Sequence, residues 1–312
     1  MFSFFKKRKL VVTHNGTFHT DDLFAAGVVE LCLEQKGECA KIIRTRDEEI
    51  IQKADIVFDV GGRYDASSHR YDHHQHEGAG VRENGIPYAS IGLVWKHWGM
   101  ELCDNNEKVW QSIDEKLVQP IDADDVGISL YEVKQEYDNG PYIIQYALKS
   151  FYTAWNEPER FDEQFMGALK FVKEILKNEI HQAKARAEAA ALVERDYEAN
   201  PDKKIITLAN AYPWKSVISE KDEPLLVIYP RHDGTWGIEG VPVKDGKEFE
   251  IRMKFPESWA GLRTDKLAAV SGIDDARFCH NGRWLCVTGS KEGALSLAQK
   301  ALDSTDSPQV AV

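Results

Sequence analysis

Asp72, His73 and His74 form an acid–imidazole–imidazole triplet within Arg70-Tyr71-Asp72-His73-His74-Gln75, just downstream of Asp55-Ile56-Val57-Phe58-Asp59. His14, His19, Asp21 and Asp22 lie upstream, and Asp122, Asp124 and Asp125 lie downstream. Carboxylate oxygens and imidazole nitrogens are the donors that suit a pair of divalent cations. Two such ions about 3.5–4 Å apart acidify a water, hold it in line and neutralise charge on an anionic phosphoester. A carboxylate shared between the ions is the natural connector, with imidazoles and further carboxylates completing each shell. Mixed nitrogen and oxygen donors favour Mn²⁺ over Mg²⁺, which is usually held by oxygens. Mg²⁺, Co²⁺ and Zn²⁺ remain open as alternatives.

The surrounding elements put several of these residues where a site belongs. Leu10 to Thr13 reads as a short buried strand, followed by a polar loop through His19 and a helix capped by Thr20 or Asp21. Ala40 to Arg44 is a second strand, Asp47 to Lys53 a short helix, and Asp55 to Val60 a third strand closed by Gly61-Gly62. Strand, helix, strand, helix, strand is the pattern of a parallel α/β sheet. Ligands gather beyond the carboxyl ends of such strands. His14 stands just past the first strand and Asp59 at the end of the third. Helices follow at Tyr88 to Trp98 and at Asn105 to Val118, the latter ending near Pro120 with Asp122 to Asp125 directly after it.

A long polar helix is expected from Asn156 to about Glu198, with Phe161, Phe165, Leu169, Val172, Leu176 and Ile180 on one apolar stripe. Such a helix spans roughly 60 Å and suits a spacer between domains. Beyond Pro201, short strands separated by turns and two helical segments, 259–270 and 291–302, read as a second, smaller α/β domain. The expected organisation is an N-terminal parallel-sheet domain at 1–155, a linking helix at 156–200 and a C-terminal substrate-binding domain at 201–312.

The 312-residue length agrees with about two domains. No apolar run approaches the ~20 residues of a membrane span. The formal net charge of −12 argues against broad, charge-driven duplex binding. A local groove remains open, because bound cations would add positive charge absent from that count. The five cysteines, Cys32, Cys39, Cys103, Cys279 and Cys286, include no closely spaced metal pair and read as reduced thiols. A cytoplasmic location is therefore expected. The head from Met1 to Lys9 lacks a secretory apolar region, and Lys6 to Lys9 leaves nuclear or organellar targeting open.

The blocks Val12-Thr13-His14-Asn15-Gly16-Thr17-Phe18-His19-Thr20-Asp21-Asp22, Ile56 to Gly62 and Arg70 to Gln75 resemble the melanocyte-proliferating-gene family of the DHH phosphoesterase superfamily. Ile121 to Ile128 is similar to that family's fourth acidic motif. The likeness extends through Ala211-Tyr212-Pro213-Trp214-Lys215 and Phe255 to Arg263 to Lys291-Glu292-Gly293-Ala294. The resemblance implies a DHH-type fold and a metal-dependent hydrolase or exonuclease. It implies that His14 and His19 hold a first metal, Asp21 and His73 a second, and that Asp59 bridges them. Asp122 or Asp125 would complete the second site, with Asp122 slightly preferred. Asp72 would orient an imidazole, and His74 would face the phosphate or leaving group. Two departures stand out: His19 replaces the usual Asp of the first motif, and Asn281 to Ser290 carries no Gly-Gly-His triplet.

The expected reaction is removal of nucleotides from a single-stranded RNA or DNA end, in the 3'-5' direction. Arg46 and Arg63, near strand ends, and Lys215, Arg252 and Arg263, in the second domain, are candidate phosphate contacts. Two alternatives are a hydrolase of a small phosphate compound (pyrophosphate, a dinucleotide or a sugar phosphate) and a metal-binding regulatory protein without turnover.

Overall fold

The computed structural model describes residues 7–136, 139–244, 246 and 250–304. The first six residues of the basic head, the C-terminal tail from 305 and part of the expected strand-and-turn region at 245–249 lie outside them. The chain divides into two compact units, 1–184 and 185–312.

The first unit opens with the expected alternation: β1 (Arg8–Thr13), α1 (Thr20–Gln35), β2 (Cys39–Arg44), α2 (Glu48–Lys53) and β3 (Ile56–Phe58). Two two-residue strands follow, β4 (Tyr64–Asp65) and β5 (Arg70–Tyr71). The sheet order is β2-β1-β3-β5-β4. The first four strands in that order are mutually parallel, and only β4 is antiparallel to its neighbour. Val12, Val57, Ile51 and Ala54 bury one face of the sheet against α2. Every residue from Asp21 to Val29 of α1 is buried, so that helix is a core helix rather than an amphipathic surface one.

Helices then accumulate: α3 (Ser90–Leu102), α4 (Glu107–Ile113), α5 (Gln119–Asp125), α6 (Ile144–Lys149) and the 39-residue α7 (Phe161–Ala199). Two expectations change here. The acidic cluster at 122–125 lies within a further helix rather than after the last one, because Pro120 falls in the first turn of α5, where its missing N–H leaves nothing unsatisfied. The long helix starts at Phe161 rather than Asn156, and its first half is no free spacer. Leu176 and Val172 pack against Gly27 of α1 so closely that a Cβ there would sit 2.8 Å from Leu176. Lys173 bonds Glu30 and Glu34 of the same helix.

The second unit holds β6 (Ile205–Thr207), α8 (Lys215–Ile218), β7 (Leu226–Pro230), β8 (Trp236–Gly240), α9 (Thr264–Ser271), β9 (Ala276–Cys279), β10 (Leu285–Thr288) and α10 (Lys291–Asp303). Its sheet runs β6-β7-β8-β10-β9, parallel only between β6 and β7. Val193 and Tyr197 at the end of α7 join a core with Ile206, Trp214 and Val227. The Asn281–Ser290 segment, which carries no Gly-Gly-His triplet, contains β10.

Candidate metal centre

The loop after β1, the first turn of α1, the end of β3, the segment after β5 and the end of α5 converge on one cluster. His14 is 5% exposed. Its Nδ1 lies 3.0 Å from the Asn15 carbonyl and 3.3 Å from Arg46 Nη2, and Nε2 is turned inward. An inward Nε2 with Nδ1 engaged on the outer side is the arrangement a ligating imidazole needs. Nε2 stands 3.2 Å from both Asp22 Oδ2 and Asp59 Oδ2.

Asp59 follows β3 in the left-handed region, with φ at 55°. A non-glycine residue held there is uncommon, and the turn continues through Gly61 and Gly62, also at positive φ. The result points a buried carboxylate across the carboxyl ends of the strands. Its Oδ1 accepts from Ser90 Oγ at 3.1 Å and lies 3.4 Å from His73 Nε2. Its two oxygens thus face different histidines.

His73 Nε2 is also 3.3 Å from Asp125 Oδ2. Asp21 is fully buried, and one of its oxygens falls within 4.8 Å of donor atoms on His19 and Asp125. Two further donor groups of the same compactness form: His14, His19 and Asp59, and Asp59, His73 and His74. Asp72 is turned away from these. It accepts from the backbone N–H of Gly62 and His74, and from His74 Nδ1 at 2.9 Å. This leaves His74 Nε2 facing out on a side chain that is 60% exposed.

The electrostatics of this cluster call for a cation. Both oxygens of Asp21, one each of Asp22 and Asp59, and Nε2 of His14 and His73 are buried without a hydrogen bond. Orphaned buried carboxylates are costly unless neutralised or ligating. Burial pushes the Asp21 carboxyl well above its usual range, and the Asp59, Asp125 and Asp22 charges push it further. Burial and neighbouring carboxylates likewise raise Asp22 and Asp125. Burial would lower His14, but Asp22 and Asp59 at contact distance outweigh it and raise the imidazole to about 10. Asp59 is held below the usual carboxylate range, its burial outweighed by His14 and His73. The donor set, carboxylates and imidazoles with lone pairs converging from two sides of Asp59, fits divalent ions.

Asp122 is placed differently from the sequence expectation. It is fully buried, 2.7 Å from Arg82 Nη1, and accepts the Gly92 N–H at 3.0 Å. Those contacts dock α3 on α5 and consume the carboxylate, so Asp125 is the α5 residue facing the cluster. The substrate candidates also separate. Arg46 lines the cluster's cavity of about 560 Å³, with His14, His19, Asp59, Asp72 and His74. Arg63 pairs with Asp65 outside that lining. Arg252 is 1% exposed, and its guanidinium donates to the carbonyls of Ser219, Lys221, Asp222 and Pro224. It is a buried clamp, not a phosphate contact. Lys215 pairs with Glu239 at 2.6 Å, and Arg263 lies over the Phe278 ring. Ser90 and Arg82 were not singled out from sequence. Ser90's position at a helix start was the one available signal.

No described helix is long and apolar enough to cross a membrane. The chain matches the profile of a family described as "Uncharacterised protein family (UPF0160)", labelled MYG1_exonuc, over residues 10–302. The human protein named MYG1 exonuclease is 33% identical over 321 residues, covering 93% of this chain and 85% of the human one. A MYG1 protein of Caenorhabditis elegans is 30% identical over 326 residues, covering 94% of this chain and 95% of its own. Among solved structures, manganese-bound RecJ of Thermus thermophilus aligns over 96% of this chain and 53% of its own. The identity there is 15% and the TM-score 0.27, a likeness too slight to bear on chemistry.

Proposed function

This chain belongs to the MYG1 family (UPF0160), and on that premise we propose that it is a metal-dependent phosphodiester hydrolase. Its substrate is a single-stranded RNA or DNA end, shortened 3'-5'. The observation that carries the proposal is the division of Asp59 between His14 and His73. His14, His19 and Asp59 would hold one ion, and Asp59, Asp21, His73 and Asp125 the other. Mixed donors of this kind favour Mn²⁺. When bound, a pair of divalent ions supplies an acidified water and positive charge against the phosphoryl oxygens.

The chain's own residues do the remaining work. Asp72 holds His74 by Nδ1 and keeps Nε2 available to the substrate. Its hydrogen bond raises the His74 pKa against the opposing effect of burial, so more of the imidazole stays protonated near neutral pH. A protonated His74 donates to a phosphoryl or leaving oxygen as the ester bond breaks. Arg46, held by the Asn15 carbonyl and side-chain oxygens, offers a fixed guanidinium at the cavity wall for a phosphate. Ser90 fixes the rotation of Asp59.

The test is hydrolysis of end-labelled single-stranded RNA and DNA by metal-free protein resupplied with Mn²⁺, Mg²⁺, Co²⁺ or Zn²⁺. Stepwise shortening from the 3' end is expected. Wild-type activity retained in both Asp59→Asn and His73→Ala would remove the proposal.

A further inference from the structure

The metal-centre cavity does not end at His19. That residue also lines a cavity of about 190 Å³ with Asp125, Leu148 and Tyr152. This second cavity shares Ile121, Asp124 and Gln145 with a third, of about 400 Å³. All three lie within the first unit. A path of shared walls therefore leads from the carboxylate cluster, past α1 and α5, to a pocket between α5 and α6.

The third cavity has the chemistry of a ligand site. Ile121, Ile128, Leu130 and Ile143 make its walls apolar, and Tyr131 adds an aromatic one. Its volume lies at the small end of ligand pockets, about 300–1,000 Å³. Phosphate is an unsuitable occupant. The lysine in the lining, Lys116, is bonded to Glu179 at 2.6 Å, while the Asp124 carboxylate is also present.

The polar feature is Gln145. It is 5% exposed and lines both the second and third cavities. Among the described residues its carboxamide makes no hydrogen bond. Its amide is not among the fully buried unpaired atoms, so it opens onto the two cavities it lines, free to bond an occupant. One donor and one acceptor side by side match the edge of a nucleobase, which a glutamine can read with two hydrogen bonds.

We propose that this cavity is a nucleobase subsite of the hydrolase, with Gln145 reading the base edge and Tyr131 lying against the base. The small cavity between it and the metal centre takes the sugar. The proposal rests on the phosphodiester-hydrolase reading above and deepens it. Neither residue touches the reacting phosphate, so both are specificity residues. They set how tightly a nucleotide is held, not how fast its ester breaks.

The experiment compares calorimetric binding of adenosine 5'-monophosphate and ribose 5-phosphate to the full chain with Mn²⁺. The two probes share sugar and phosphate and differ by the base. The nucleotide is expected to bind at least about tenfold more tightly, the worth of one good bidentate contact. Gln145→Leu and Tyr131→Ala should each cut that advantage while leaving ribose 5-phosphate binding unchanged. Tyr131 is 38% exposed, so its truncation leaves the core intact and guards against a folding defect in the Gln145 variant. Equal affinity for the two probes, no binding of the nucleotide, or a full advantage in both variants would overturn the subsite. Hydrolysis is a separate readout. If no diester is cleaved while the base advantage holds and falls in the variants, the hydrolase reading fails and the base site stands.

Discussion

Asp122 accepts the backbone N–H of Gly92 at 3.0 Å, and a Cβ on Gly92 would fall 1.9 Å from Asp122 Oδ2. Helices α3 and α5 therefore meet at a point with no room for a side chain, held by a carboxylate that also binds Arg82. Gly92→Ala should destabilise the protein by about 1–3 kcal/mol, the usual cost of overpacking. Denaturant unfolding would measure it.

The same contact separates two aspartates one helical turn apart. Asp122→Asn leaves a buried Arg82 short of a partner and should cost about 3 kcal/mol, with metal stoichiometry unchanged. Asp125→Asn should do the reverse: little loss of stability, and loss of one bound ion. Metal analysis after dialysis, paired with unfolding curves, distinguishes them. Loss of an ion in Asp122→Asn at unchanged stability would reinstate Asp122 as the ligand.

Asp21 is buried with no hydrogen bond to either oxygen, a cost tolerable only when a cation is present. Asp21→Asn is expected to raise the Tm of metal-free protein and to shrink the rise in Tm that Mn²⁺ gives wild type. Thermal scans with and without chelator read both effects. A lower metal-free Tm would show that Asp21 stabilises the fold by another route.

The raised His14 pKa sets a pH dependence. In metal-free protein the folded imidazole stays protonated to about 10, against about 6.5 when unfolded. Its stabilising contribution is full below about 6.5 and is lost as pH rises toward 10. Metal must displace that proton, so Mn²⁺ affinity should rise with pH over this window. Calorimetry in buffers of different ionisation enthalpy would register the released protons. Affinity independent of pH between 6.5 and 9 would contradict the assignment of His14 as a ligand.

His74 is the most accessible imidazole of the triplet and is held by Asp72. His74→Gln should lower kcat by about 10²–10⁴ while two ions still bind. Asp72→Asn should shift the pH profile of kcat toward lower pH, because the carboxylate that raises His74 is gone. Unchanged kcat in His74→Gln would remove it from catalysis.

Much of the candidate site was legible in the sequence because donor residues at strand ends are local features. His14 and Asp59 follow short apolar runs that can only be buried parallel strands. Asp125 was harder to separate from Asp122, because the deciding partner, Arg82, comes from a loop far away in sequence. Arg252 read as a candidate phosphate contact, because nothing local shows that four carbonyls converge on it. Strand β10 was hidden by its shortness, Leu285 to Thr288 beside a glycine-containing turn. Gln145 gave no signal either, since an unpaired amide is visible only once its neighbours are placed.

The central claim is that Asp59 joins two ions. Titration of metal-free protein with Mn²⁺, followed by electron paramagnetic resonance, tests it directly. The account predicts two ions per chain with a spin-coupled signal, and loss of that coupling in Asp59→Asn. A single uncoupled ion in wild type, or an unchanged coupled pair in Asp59→Asn, would contradict it.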